Sequence, residues 1–257
     1  MLVCPICKKE LKKENNVYCC FNRHSFDIAK QGYVNLSLKQ KKNQGDNALM
    51  VQARTQFLEK NYYDFMRRRL CELLNENACR FLLDLGCGQG YYTSKFSEIV
   101  SNVYGVDLSK SALKYASAHD KKTTYIVDSI FNLPFSDASF DAVTAIFVPI
   151  SVLEVQRVLQ KDGLFIVVGP GPRHCWELKE ILYEKPYENP VPSENMEGFT
   201  CVKQEKIQQQ SWVDDVWSLL EMTPYRYKTS QEGLERVKQL EGLHVTFEFM
   251  VSIWKKD

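Results

Sequence analysis

Four cysteines crowd into the first 20 residues, Cys4, Cys7, Cys19 and Cys20, and His24 follows them. Cys4-Pro-Ile-Cys7 puts two thiolates on one tight turn. One of the adjacent pair Cys19 and Cys20, with His24, supplies a second couple of ligands. Sulfur and imidazole in two pairs suit tetrahedral zinc, and by spacing alone either Cys19 or Cys20 can give the third thiolate. A redox Cys-x-x-Cys is the competing reading. That motif opens a helix after a strand, whereas this one lies three residues into the chain. Four protein ligands leave no open coordination position, so such a zinc would be structural. The other five cysteines (Cys71, Cys79, Cys87, Cys175 and Cys201) are scattered, unlike a disulfide framework.

A second constellation begins at FLLDLGCGQGYYT (81–93). Glycines at 86, 88 and 90 let the backbone turn tightly and approach a ligand without side-chain clash, and the helix start beyond them carries partial positive charge. Asp84 precedes the first glycine. Asp107 ends the next apolar run, 21 residues after Gly86, where a carboxylate can accept from two ribose hydroxyls. Asp128 ends the third run, where the ligand's base would lie. A dinucleotide fingerprint needs its third glycine one place later, which disfavours a nicotinamide cofactor. DLGCGQG instead resembles motif I of class I methyltransferases, which use S-adenosylmethionine. The phrase NLPFSDASFDAV (132–143) resembles the stretch that leads into the fourth strand of that superfamily.

These residues need a scaffold. Short apolar runs at Phe81–Leu85, Val103–Asp107, Tyr125–Asp128, Phe140–Phe147 and Leu164–Gly169 alternate with helical stretches near 91–100, 109–118 and 151–159. That alternation predicts a parallel sheet covered on both faces. Later strands are expected at Thr200–Ile207 and Val245–Trp254, the last alternating in the manner of an antiparallel or edge strand. Upstream, Tyr62, Phe65, Met66, Leu70, Leu73 and Leu74 make one helical stripe. The fold class is therefore α/β, with a mostly parallel, seven-stranded, Rossmann-like sheet. Three segments are expected: 1–36 as a zinc module too small for its own core, 37–78 as linker and helix, and 79–257 as the cofactor-binding domain.

Composition is that of an ordinary globular chain, 44% hydrophobic and 25% charged, with no apolar run long enough for a membrane span and no signal-like start. A cytoplasmic location is the expectation. The net charge of +1 hides an asymmetry. Residues 1–70 hold 14 Lys/Arg against 6 Asp/Glu, and the remainder is acidic. A basic end points to a polyanion. Lys39, Lys41, Lys42, Arg67, Arg68 and Arg69 are the candidate phosphate contacts.

Taken together, CPIC…C…RHSFDIAKQGYVNL (4–36), GDNALMVQARTQFL (45–58), DLGCGQGYYT (84–93), LPFSD (133–137), GPGPRHCWELKEILY (169–183), EGF (197–199) and MTPY (222–225) resemble the RlmA family nearly end to end. Its members methylate guanine N1 in a hairpin of bacterial 23S ribosomal RNA. The resemblance implies zinc on Cys4, Cys7, Cys20 and His24. It implies cofactor contacts from Tyr63, from the 86–91 loop (Gly86, Gly88, Gln89, Gly90, Tyr91) and from His174. It also implies RNA held by the zinc module, and a homodimer. The chain departs from the pattern at Ala145-Ile-Phe-Val-Pro149, where a more polar and aromatic stretch is expected, and at Lys161-Asp-Gly163. No residue identifies itself as the base that takes the guanine N1 proton. Two other readings stand beside this one. A methyltransferase acting on a small molecule such as a quinone precursor would leave the zinc knot unexplained. A non-catalytic RNA-binding protein would have no use for an intact glycine loop.

Overall fold

The computed structural model describes residues 1–38 and 47–257, so the candidates Lys39, Lys41 and Lys42 lie outside the described residues. In chain order the elements begin with β1 (Leu11–Glu14), β2 (Val17–Cys20), β3 (Ser25–Asp27) and β4 (Val34–Asn35). Helices α1 (Ala48–Glu59) and α2 (Asp64–Glu76) follow, then β5 (Phe81–Leu85), α3 (Thr93–Phe96), β6 (Asn102–Asp107), α4 (Lys110–His119), β7 (Thr124–Val127) and β8 (Phe140–Ile146). The chain continues with α5 (Val152–Val158), β9 (Leu159–Pro170), α6 (Trp176–Leu182), β10 (Phe199–Val213), α7 (Val216–Glu221), a 3-10 turn (Pro224–Tyr227), α8 (Gln231–Lys238) and β11 (Leu243–Lys256).

Strands β1, β2 and β3 form a small antiparallel sheet that carries the cysteine knot. Asn15 turns β1 into β2 with φ 53°, a left-handed conformation that asparagine tolerates. The large sheet runs β10-β11-β9-β8-β5-β6-β7-β4. Strands β5 to β9 are mutually parallel, and the long β10–β11 pair is antiparallel. Seven of these strands lie in the 79–257 segment, as its periodicity predicts. The eighth is β4, whose Val34 and Asn35 pair in parallel with Ile126 and Val127. The zinc module is thus stitched onto the sheet edge. Leu2, Leu11, Val34 and Leu36 are buried in one apolar cluster with Leu83, Val106 and Ile126, which answers how so small a module finds a core.

The apolar stripe of α2 is buried at Met66, Leu70, Leu73 and Leu74. The helix is separated from α1 by Asn61, at φ 63°. Both helices pack on the face of the sheet that also receives α6, α7 and α8. Helix α3 is much shorter than the stretch 91–100 suggests. Tyr91 and Tyr92 complete the turn out of the glycine loop, and the β-branched Thr93, first in the helix, is hydrogen-bonded to Asp84.

Strand order reverses between β5 and β8. Chain order runs outward on one side through β6 and β7, and on the other through β9. A parallel sheet opens a ligand crevice at the carboxyl end of such a reversal.

Candidate cofactor pocket and zinc centre

The crevice holds a cavity of about 360 Å³, within the range of small-molecule sites. Its floor is the β5 turn. Gly86 and Gly88 have φ of 61° and 53°, and a Cβ on Gly86 would sit 2.7 Å from the Val148 side chain. Gly88 needs its conformation to aim its N–H at Asp107, whose Oδ2 accepts it at 2.9 Å. Asp107 Oδ1 accepts from the Ser109 N–H at 2.7 Å. Its carboxylate lines the cavity at the end of β6, where such a group can accept ribose hydroxyls. Asp84, 1% exposed, accepts from Thr93 and, at 2.7 Å, from Thr144 Oγ1, and burial pushes its carboxyl up to about 6.

Tyr63, Asp84, Gly86, Gly88, Gln89, Tyr91 and Asp107 all line this cavity. Three candidates do not. Gly90 lies beneath the loop, where a Cβ would meet Tyr125 Oη at 2.8 Å and Ala116 at 3.0 Å. Asp128 lines a neighbouring cavity of about 390 Å³ with Pro5, Leu36, Ser37, Leu38 and Leu108. Its backbone N–H is bonded to the Asp107 carbonyl at 3.2 Å, and burial raises its carboxyl to about 6. His174 is withdrawn from the cavity and 5% exposed. Its Nδ1 donates to the Glu248 carbonyl at 2.9 Å, and its ring packs against Tyr63 and Phe249. Burial lowers its imidazole to about 4, so it is neutral. Its place is behind Tyr63, and the expectation of a direct cofactor contact is corrected accordingly.

Sequence reasoning missed several lining residues. Arg54 and Leu58 come from α1, Phe147 and Val148 from the end of β8, and Met222 from the end of α7. Arg54 lies inside the phrase GDNALMVQARTQFL, which was the available signal.

Three buried polar atoms in the lining, Gln89 Nε2, Tyr91 Oη and Tyr92 Oη, have no hydrogen-bond partner among the described residues. Buried polar groups are rarely left so, and these three residues sit in the wall of the cavity. With Asp107 facing a ribose and the glycine turn cradling the chain between them, the lining fits S-adenosylmethionine.

The cysteine knot is equally specific. Ligand atoms of Cys4, Cys7, Cys20 and His24 lie within 4.8 Å of one another. Cys7 and Cys20 Sγ are 3.6 Å apart, and His24 Nδ1 lies 3.5 Å from Cys4 Sγ and 3.4 Å from Cys20 Sγ. A tetrahedron with zinc–sulfur bonds of about 2.3 Å and zinc–nitrogen bonds of about 2.0 Å has edges of about 3.8 and 3.5 Å. The residues fit the ion. Cys19, alternating to the other face of β2, is outside the cluster.

The arginine candidates divide. Arg69 is engaged by Glu205, Glu72 and Glu76, so its charge is already answered and the phosphate reading fails for it. Arg67 pairs with Asp64 and lies 4.3 Å over the Tyr91 ring, behind the cofactor cavity rather than in its lining. Arg68 also pairs with Asp64 but leaves its side chain 77% exposed.

Fold and pocket define a class I methyltransferase carrying an N-terminal zinc ribbon. The methyltransferase domain family matches residues 83–167, and the family described as "RlmA, N-terminal" matches residues 2–44. A Streptomyces fradiae protein named 23S rRNA (guanine(748)-N(1))-methyltransferase is 28% identical over 95% of this chain and 92% of its own length. A Micromonospora griseorubida protein provisionally named 23S rRNA (guanine-N(1)-)-methyltransferase is 31% identical over 70% of this chain and 69% of its own. Among solved structures, a provisionally assigned methyltransferase of Bacillus halodurans C-125 shares the fold. Its TM-score is 0.52 at 18% identity, over 73% of this chain and 98% of that one. The chain belongs to the RlmA family. Among the described residues, no helix is long and apolar enough to cross a membrane.

Proposed function

We propose that this chain transfers a methyl group from S-adenosylmethionine to N1 of a guanine in a hairpin of 23S ribosomal RNA. One observation carries the reading. A zinc ribbon of the RlmA type is built into the edge of a methyltransferase sheet, beside the cofactor crevice, and similarity to relatives bearing that name runs through both parts. A small-molecule methyltransferase needs no such ribbon.

Bound in this cavity, S-adenosylmethionine would supply an electrophilic methyl carbon on a sulfonium whose bonding pair is retained by sulfur. The protein's part is placement. Asp107 and the Gly86–Gly90 turn hold the nucleoside side of the cofactor. Gln89, Tyr91 and Tyr92 would wall the amino-acid side. Tyr63, backed by His174, closes the wall. The end of β8, Ile146-Phe147-Val148-Pro149, offers the incoming base neither carboxylate nor imidazole. Asp84 and Asp107 are committed to Thr93, Thr144, Gly88 and Ser109. The side chains' contribution is therefore orientation, and the N1 proton would pass to solvent water at the open mouth of the crevice.

The test is methylation of unmodified 23S RNA with labelled S-adenosylmethionine, followed by mass spectrometry of nuclease fragments. One methyl on one guanine N1 is the expected result. If the cofactor binds and no RNA is labelled, naked or in ribosomal particles, the small-molecule reading replaces this one.

A further inference from the structure

Four aromatic residues line the cofactor cavity: Tyr63, Tyr91, Tyr92 and Phe147. Only Phe147 is exposed, at 44%. It also has φ 56°, a left-handed conformation that a bulky residue adopts only when its surroundings impose it. Those surroundings are specific. Its N–H is held by the Val168 carbonyl at 3.0 Å, so the register of β8 against β9 fixes the backbone. Its ring is backed by Tyr63, at 6.4 Å between centroids, and by Phe249, at 5.5 Å. An apolar ring is thus kept in solvent, in a strained conformation, at the mouth of a cavity, and given firm backing. Much of the residue nonetheless stays outside the core on which it leans.

The position in the crevice says what would use it. The glycine turn of β5 forms the floor, and Phe147 stands beside it at the end of the neighbouring strand β8. An acceptor approaching a methyl group held by the β5 turn passes over this ring. The side chains at the β8 end, Ile146, Phe147, Val148 and Pro149, offer no hydrogen-bonding group, so the acceptor can be held there by its flat face but not by its edge. A purine drawn out of a hairpin has such a face, and unpaired bases are commonly held by aromatic stacking.

We propose that Phe147 is the platform on which the acceptor guanine stacks, setting the in-line approach of N1 to the methyl carbon. This rests on the RNA reading above. Phe147 then acts on both capture and orientation of the base, and shape separates that role from packing. Tryptophan keeps a flat aromatic face. Leucine keeps apolar contact of similar bulk without one.

The experiment compares wild type with Phe147→Leu and Phe147→Trp on unmodified 23S RNA, with cofactor affinity measured by calorimetry on the same samples. Phe147→Leu should lose about 10- to 100-fold in kcat/KM, the usual scale for one lost base stack. Its cofactor Kd should stay within about twofold of wild type. Phe147→Trp should recover most of the rate. A leucine variant as active as wild type would overturn the proposal while leaving RNA methylation standing. So would a loss of rate matched by an equal loss of cofactor affinity, which would mark Phe147 as cavity wall. A wild-type enzyme that labels no RNA would remove the functional reading, and this inference with it.

Discussion

Gly90 shows how a ligand loop can depend on atoms the ligand never touches. It has φ +83°, and a Cβ there would press on Tyr125 Oη and Ala116 Cβ, at 2.8 and 3.0 Å. Tyr125 is held in turn by Asp120, at 3.1 Å, so it cannot swing aside freely. Gly90→Ala should cost about 1–3 kcal/mol of stability and weaken S-adenosylmethionine binding by about tenfold or more, because the turn presenting Gly88 and Gln89 must shift. Gly169 has no atom within 4 Å of a would-be Cβ and no positive φ, so Gly169→Ala should be nearly silent. Denaturant melts and calorimetry check both, and equal effects would refute the steric account. The glycines and strand-end aspartates were legible because their chemistry depends on residue types at short, fixed spacing. The places of His174 and Arg69 were not. Nothing local says that a histidine is capped by a carbonyl 74 residues away, or that an arginine meets Glu205 across the fold.

Among the elements, β4 has the largest consequence for its size. Two residues join the zinc module to β7, and Leu36 and Leu38 just beyond them wall the cavity that contains Asp128. From sequence, the module and the glycine loop fall in different segments, so chelation is expected to disorder residues 1–35 and leave cofactor affinity largely intact. The register of β4 makes the separation incomplete. The short module strands and this pairing were invisible beforehand because a two-residue strand has no periodicity. The helices α6, α7 and α8 were missed for a related reason, being only six to eight residues long. Stripping zinc with a chelator should unravel residues 1–38, raise amide exchange along Tyr125–Val127, and weaken cofactor binding severalfold without abolishing it, since the β5 turn stands on the central strand. Cys20→Ser should reproduce this, whereas Cys19→Ser should keep one zinc per chain by elemental analysis. Unchanged cofactor affinity in the zinc-free protein would mean that β4 is not needed to shape the second cavity.

At the scale of the whole molecule, the basic end concentrates exposed cations in one small module. Lys8, Lys9, Lys12, Lys13, Arg23 and Lys30 are all exposed, and none forms an ion pair among the described residues. Arg69, in contrast, is shared by three carboxylates, and Arg157 by Glu154 and Asp137. The module docks so that the charge of Lys8 is felt at Asp128 and Glu154, which brings its field to the carboxyl edge of the sheet, where the crevice opens. A polyanion anchored on these unpaired cations would lie across the mouth of the cofactor site. Each phosphate contact releases about 0.7–0.9 counterions, so Lys9, Lys12 and Lys13→Gln together should lower the slope of log K against log salt by about 2, with little change in melting temperature. Arg69→Gln should do the reverse, leaving the slope alone and costing about 1 kcal/mol of stability, because its partners are internal. Filter binding of 23S RNA over a salt series separates the two. A slope that falls with Arg69 and not with the lysines would move the RNA from the ribbon to the helical face of α2.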